Sequence, residues 1–316
     1  MITIKRLGAF SLALAVALSA MTLQAAVVLV DDSFADGDFA KTGPLDTNWW
    51  TSSSSSGKEI SVGSLGLVTG TSGRGIHTIF PATTLAVGDS LKASYTFTTP
   101  TTIQSSNSSQ SAAFRVGLFD SLGQAGLDAD VSASSGSPND LYGWGLATGG
   151  PGTLALPGYM LDMDVYPDTM PNPESDLNFR EHVSNTITGT GRLMATTSNF
   201  SNISPSGPDA GYSWAPNTEY TGSFQLTRIN ATEMELTATL GGDSYTNVDA
   251  FDSVDVDMLA FHVNSRTFGD SNSAGDPDNG IDFSNIKIEY FPVPEPSSLM
   301  LLLGSLLALA AGRVRK

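Results

Sequence analysis

Leu91-Lys92-Ala93-Ser94-Tyr95-Thr96-Phe97-Thr98 is the stretch from which the fold is read. Apolar and polar residues alternate without a break, so one side of an extended chain is apolar and the other is wet. Ala112, Phe114, Val116 and Leu118 repeat the pattern downstream. In Tyr220–Leu240, Phe224 and Leu226 lie on one arm and Met234, Leu236, Ala238 and Leu240 on the other, with the turn at Arg228–Ala231. That arrangement predicts a β-hairpin. Further strands are predicted at Val27–Val30, Tyr159–Tyr166, Leu177–Val183, Met258–Asn264 and Ile281–Tyr290. Helices longer than about two turns are not expected, because no stretch keeps a helical period. Ser52–Ser56 and Thr99–Ser111 read as polar loops. Many short strands between turn residues predict an all-β chain, folded as a two-sheet antiparallel jelly-roll sandwich. In such a fold the first and last strands often share an edge. That would bring Asp31-Asp32-Ser33-Phe34 close to Gly280-Ile281-Asp282-Phe283.

Both ends of the chain differ from this middle. Lys5 and Arg6 precede an apolar stretch from Leu7 to Met21, and Ala25 and Ala26 follow, which is a signal-peptide pattern. At the other end, Val293-Pro294-Glu295-Pro296 leads into an apolar run, Leu299–Ala311, and then into Arg313, Arg315 and Lys316. The run is shorter than the roughly 20 residues of a comfortable membrane span, and the basic end favours the cytoplasmic face. The two prolines keep the spacer extended and accessible. The expected division is therefore 1–25 signal peptide, 26–292 one β-sandwich domain, and 293–316 a sorting signal with a single transmembrane helix at 298–312.

Composition excludes several functions. The chain has 15 basic residues against 32 acidic ones, a net charge of −17, and five of the basic residues lie in the two end segments. Nucleic acid is not an expected partner, because phosphate binding needs a basic footprint. With no cysteine, an exported chain must rely on its core and on bound ions rather than on disulfides.

The tail closely resembles the PEP-CTERM sorting signal, with Pro294, Glu295 and Pro296 as its motif, the leucine-rich run behind it and the basic end. The resemblance implies Sec export and transient residence in the inner membrane. It further implies processing by an exosortase-type enzyme and release to the cell surface or extracellular matrix of an exopolysaccharide-producing Gram-negative bacterium. The mature part resembles the concanavalin A-like lectin/glucanase superfamily. The residues that carry this are Asp31-Asp32-Ser33-Phe34 with Asn48-Trp49-Trp50, the segment Gly158-Tyr159-Met160-Leu161-Asp162-Met163-Asp164, and Gly280-Ile281-Asp282-Phe283-Ser284-Asn285-Ile286-Lys287-Ile288.

No catalytic residue is expected. Glucanases of this kind carry Glu-x-Asp-x-x-Glu on one strand, and glycoside hydrolysis needs two carboxyl groups across the scissile bond. Leu161-Asp162-Met163-Asp164-Val165-Tyr166 keeps two aspartates on one strand face but has neither glutamate. His77, His182 and His262 show no zinc spacing, and Gly70-Thr71-Ser72-Gly73-Arg74 lacks the last glycine of a nucleophile elbow. Arg180-Glu181-His182 splits across a strand, with Arg180 and His182 on one face and Glu181 on the other. The candidate calcium ligands are Asp276, Asp278, Asn279 and Asp282, hard oxygen donors around a glycine bend, with Asp32 added if the ends meet. The candidate sugar-binding residues are Trp49, Trp50, Trp144 and Trp214, with Asp162 and Asp164 as hydroxyl partners. The expected function is that of a non-enzymatic surface or matrix component, structural or glycan-interacting. The alternatives are a calcium-dependent carbohydrate-binding lectin and a divergent glycoside hydrolase.

Overall fold

Two antiparallel sheets account for nearly all the regular structure of this computed structural model, which describes residues 25–51, 58–67, 74–101, 103, 113–123, 156–167, 177–183, 194, 197, 200–203, 213–264, 267–268 and 280–293. The first sheet runs in the order β15 (Asp243–Ala250), β14 (Glu233–Leu240), β13 (Glu219–Arg228), β6 (Ser90–Thr98), β17 (Ile281–Phe291), β4 (Ser64–Leu67) and β3 (Lys58–Ser61), and β1 (Val27–Asp32) also pairs with β17. The second runs β11 (Phe200–Asn202), β10 (Leu177–His182), β8 (Gly158–Asp164), β7 (Ala113–Phe119), β16 (Asp255–Val263), β5 (Arg74–Thr84) and β2 (Trp50–Thr51). A short parallel pair joins β9 (Tyr166–Pro167) to β12 (Ser213–Trp214). Successive strands cross between the sheets at β5 to β6, β6 to β7, β15 to β16 and β16 to β17, as a jelly-roll sandwich requires. The described residues within Val28–Tyr290 form one compact unit.

The alternating stretch is β6. Its Leu91, Ala93, Tyr95 and Phe97 are buried, while the residues between them are half-buried. The predicted hairpin forms as β13 and β14, with Phe224 opposite Ala238 and Leu226 opposite Leu236. From β6, Tyr95 meets Phe261 of the second sheet at 5.4 Å and Phe97 meets Phe114 at 5.1 Å, both edge to face. Phe261 in turn packs on Phe283 at 4.6 Å. These contacts close the interior with the geometry that aromatic quadrupoles favour.

The two sheets read differently in sequence for a physical reason. β14 alternates buried and half-buried residues, because one face is wet. β7 is buried at every position, and β16 at every position but its first. The outer side of those strands carries its own apolar cluster of Phe119, Leu156, Met160, Met194, Phe200, Met258 and Ala260. Strands covered on both faces lose the alternation that marks a half-exposed strand.

Several boundaries differ from expectation. The segment predicted as Tyr159–Tyr166 divides into β8 and β9, β1 continues through Asp32, and β16 begins at Asp255. β15 was not expected as a strand: its inward residues are Tyr245, Asn247 and Asp249, which is too polar a face to read as apolar. The turn before it is Gly241-Gly242, with φ of +59° and +115°. Two consecutive residues at positive φ make the tight two-residue hairpin for which glycine is the natural choice. The predicted loop Ser52–Ser56, most of Thr99–Ser111, the signal peptide up to residue 24 and the tail from residue 294 lie outside the described residues.

Candidate functional site: the outer face of the second sheet

β8 is the segment that sequence reasoning placed at the centre of any sugar chemistry. Its Tyr159, Leu161 and Met163 point into the core. Met160, Asp162 and Asp164 therefore share the outer face, since side chains alternate along a strand. Register places Asp162 opposite Arg115 of β7 and opposite Asn178 of β10. Asp162 Oδ1 accepts from Arg115 Nε at 2.6 Å, and Oδ2 accepts from Arg180 Nε at 2.7 Å. Arg115 is only 4 % exposed and Asp162 only 5 %. Arg115 Nη1 donates further to the Met194 carbonyl at 2.7 Å and to Asn264 Oδ1 at 3.0 Å, and Arg180 Nη1 donates to Asn202 Oδ1. Charge-assisted hydrogen bonds to two guanidiniums thus engage both oxygens of this carboxylate.

The middle of this face is filled by the protein itself. Gly117 lies opposite Met160, and any side chain there would strike the Phe119 ring and Met194 Sδ. Phe200 packs edge-on against His182 at 4.8 Å. Neither nitrogen of His182 has a hydrogen-bond partner. Burial pushes the imidazole down to about 4, so it is neutral at ordinary pH. Across β10, Glu181 points the other way, as expected. Burial, followed by the charges of Asp249 and Asp252, lifts its carboxyl to about 7. His77 and Trp50 stack at the far edge of the same outer face, with ring centres 5.4 Å apart.

The other candidate residues are scattered. Trp49 and Trp214, expected as sugar platforms, are each 1 % exposed and are core residues, so neither can offer a ring face to a sugar. Trp50 alone of the described tryptophans is half-buried at the surface, and Trp144 lies outside the described residues. Trp49 Nε1 donates to Asp32 Oδ2 at 2.9 Å, and the Phe34 amide donates to Asp32 Oδ1 at 2.9 Å. Burial nevertheless raises the Asp32 carboxyl above the ordinary carboxylate range.

The first and last strands do meet, and Asn285 Nδ2 donates to Asp31 Oδ1 at 3.3 Å. The meeting does not make Asp32 a partner of Asp282. Asp32 is buried on the core side beneath Trp49, whereas Asp282 stands exposed between the buried Ile281 and Phe283. Asp32 is thereby removed from the candidate calcium set.

Asp282 instead faces Gly66 of β4, and Gly66 faces Glu59 of β3. With no side chain at Gly66, the Asp282 carboxylate leans over it, with Oδ1 3.1 Å and the Glu59 Cβ 3.4 Å from where a Cβ would stand. Shielding by these strands, followed by the Glu59 charge, raises the Asp282 carboxyl. Glu59 was missed in the sequence because only the register brings it there. Asp276, Asp278 and Asn279 lie outside the described residues. Among the described residues, no three acidic or histidine side chains form a cluster able to hold a metal ion.

Comparison with solved structures gives lectin and glucanase sandwiches. The chain is similar to the carbohydrate recognition domain of Emp46p in its metal-free form, at 10 % identity over 76 % of this chain and 87 % of that one, with a TM-score of 0.42. The same domain is also known in a potassium-bound form. The chain is similar to basic winged bean lectin with Tn-antigen, at 9 % identity over 86 % and 99 %, TM-score 0.43. It is similar to an endo-1,3-β-glucanase from Streptomyces sioyaensis, at 11 % identity over 84 % and 96 %, TM-score 0.45. At such identities the likeness is one of fold. No curated protein matches the chain in sequence. Residues 292–316 match the family model of the PEP-CTERM protein-sorting motif, and the C-terminal tail of this β-sandwich protein is such a motif.

Proposed function

We propose that the protein is an exported, non-enzymatic component of the cell surface or of an exopolysaccharide matrix, structural or glycan-interacting, delivered by its PEP-CTERM tail. Sec-type export and cleavage by an exosortase-type enzyme belong to the same reading. The observation that carries the non-enzymatic part is the clamp on Asp162. Of the two aspartates on the strand where a glucanase would hold its carboxyl pair, Asp162 is ion-paired with both Arg115 and Arg180, and neither glutamate of the glucanase pattern is present. Glycoside hydrolysis needs one carboxyl as acid and another as nucleophile or base, both facing the substrate. Asp162 faces two arginines instead.

The test is incubation of the full chain with a panel of polysaccharides, scoring both retention and release of reducing ends. Retention without turnover is the expected result. Turnover that disappears in Asp162→Asn would overturn the reading in favour of a hydrolase.

A calcium-dependent lectin is the second reading, and the convergence of Asp282 and Glu59 over Gly66 favours it. Two carboxylates on strands that flank a glycine of the strand between them are the kind of hard-oxygen pair from which a calcium site is built. Millimolar calcium should then raise the melting temperature relative to chelator, and Glu59→Gln should reduce that rise. An unchanged melting temperature sinks the calcium site.

A further inference from the structure

The outer face of the first sheet differs in composition from the covered outer face of the second. On β6, β13, β14 and β15 the residues that alternate with the core are mostly serine and threonine. Register lines them up across the strands. Ser94 faces Ser223, Ser223 faces Thr239, and Thr239 faces Ser244; Ser223 is itself buried, and the hydroxyls on either side of it are the accessible ones. Neighbouring hydroxyls pair across strands, Ser223 with Thr239 at 2.7 Å, Thr237 with Thr246 at 3.0 Å and Thr96 with Thr221 at 3.4 Å. The result is a lattice of hydroxyls repeating at roughly 4.8 Å across the strands and about 7 Å along them.

We propose that this face binds an uncharged polysaccharide. This inference rests on the reading of the protein as a glycan-interacting surface or matrix component, and adds where the glycan sits and of what class it is. A hydroxyl both donates and accepts, and so does each hydroxyl of a sugar, so the two surfaces match in any local orientation. The cross-strand pairs hold their rotamers in place beforehand, which lowers the entropy lost on binding. A polymer engages many such weak contacts together.

Charge selects against other partners. Lys92 lies on this face, Lys287 of the neighbouring β17 is ion-paired with Glu289, Glu219, Glu233 and Glu235 lie towards the ends, and the whole chain carries −17. An anionic polymer would be repelled, whereas a neutral one leaves no charge desolvated. A protein partner would need aromatic or apolar anchors. The rings on these four strands, Tyr95, Phe97, Tyr220, Phe224 and Tyr245, all pack into the interior, and the exposed apolar side chain of the face, Val248, stands by itself on the edge strand β15.

The test is depletion of the full chain, purified in mild detergent, by insoluble cellulose, insoluble β-1,3-glucan and calcium alginate beads. One variant combines Thr96→Val, Thr221→Val, Thr237→Val and Thr246→Val. Removing both members of two hydroxyl pairs orphans neither, and valine keeps the shape and strand preference of threonine. The second is Thr221→Lys at an exposed position. The wild type should be retained by at least one neutral polymer, and both variants should bind it at least tenfold more weakly with melting unchanged. If the fourfold variant fails to fold, Thr221→Lys decides alone. Retention of wild type and folded variants alike would overturn this inference and leave the wider function standing. Retention by alginate alone would overturn the neutral class. No retention of the wild type on any polymer would remove both this site and the glycan-interacting role.

Discussion

Replacing Asp162 by asparagine tests the feature on which the second sheet's outer face depends. The carboxylate joins Arg115 and Arg180 through contacts of 2.6 and 2.7 Å, and its side chain is 6 % exposed against 5 % for Arg115 and 16 % for Arg180. Two opposite charges whose centres lie about 4 Å apart attract by about 4 kcal/mol at the effective dielectric of a protein near its surface. Arg180 regains some water after the change. Arg115 does not, and its remaining partners, the Met194 carbonyl, Asn264 and a neutral amide, carry no charge to offset its own. Breaking a buried pair by neutralising one partner costs about 3–5 kcal/mol, because the remaining charge stays desolvated. For a domain of this size each kcal/mol moves the midpoint by roughly 2–4 °C, so a drop on the order of 10 °C is expected. Thermal and urea melts of the full chain followed by near-UV circular dichroism at pH 7 would measure it. Arg180→Gln should cost less than Asp162→Asn, since it removes the more solvated partner. The reasoning fails if Asp162→Asn melts within about 1 °C of the wild type.

The remaining predictions concern titration and packing. His182 has its pKa pushed down to about 4, against about 6.5 in an unfolded chain. Its neutral burial therefore contributes stability above pH 6.5, which is lost as pH falls towards 4, by up to about 3 kcal/mol; His182→Leu should flatten that acid limb in a pH series of urea midpoints. Glu181, raised to about 7, acts with the opposite sign: its contribution is complete below about pH 4.5 and is lost as pH rises through 7, so Glu181→Gln should flatten the alkaline limb. Phe200→Ala should cost about 3–5 kcal/mol and expose His182, raising its NMR-observed pKa towards 6.5. Asp32→Ala should cost about 1–3 kcal/mol by leaving the Trp49 indole N–H buried without its acceptor, read as a lower midpoint with a changed tryptophan emission.

The fold was legible where a strand has one wet face, and the site was illegible where packing covers both. β6, β13 and β14 could be read from alternation alone, because water on one side forces polar residues between the apolar ones. β15 could have been found from Gly241-Gly242, whose paired positive φ values mark a hairpin even though the strand after it is polar inside. No local pattern could have found Glu59 or Arg115 as site residues. Glu59 reaches Asp282 through an intervening glycine strand, and Arg115 sits in Ala-Phe-Arg-Val-Gly-Leu-Phe, where a lone charge reads as the solvent face of a strand. It is buried because Met194 and Phe200 cover that side, and both come from far along the chain. Register and cover are tertiary facts, and they decide here which charges are sites.

The cover also decides which side of the sandwich is available. A charge buried under Met194 must be paired, so Arg115 and Asp162 hold each other, and Asp162 cannot turn to a substrate without giving up its contacts with the arginines. Among the described residues the first sheet carries no such apolar cover. Most of its outer side chains on β6, β13, β14 and β15 stay accessible, and in a chain with 32 acidic residues most of them are hydroxyls. Hydroxyls keep a strand in register through cross-strand pairs without the repulsion that a ladder of carboxylates would bring. The same pairing leaves lone pairs and protons free on the outside. The cover over the second sheet and the open hydroxyls of the first therefore point the same way: the proposed contact with a hydroxyl-rich matrix is assigned to the sheet that does not carry Asp162.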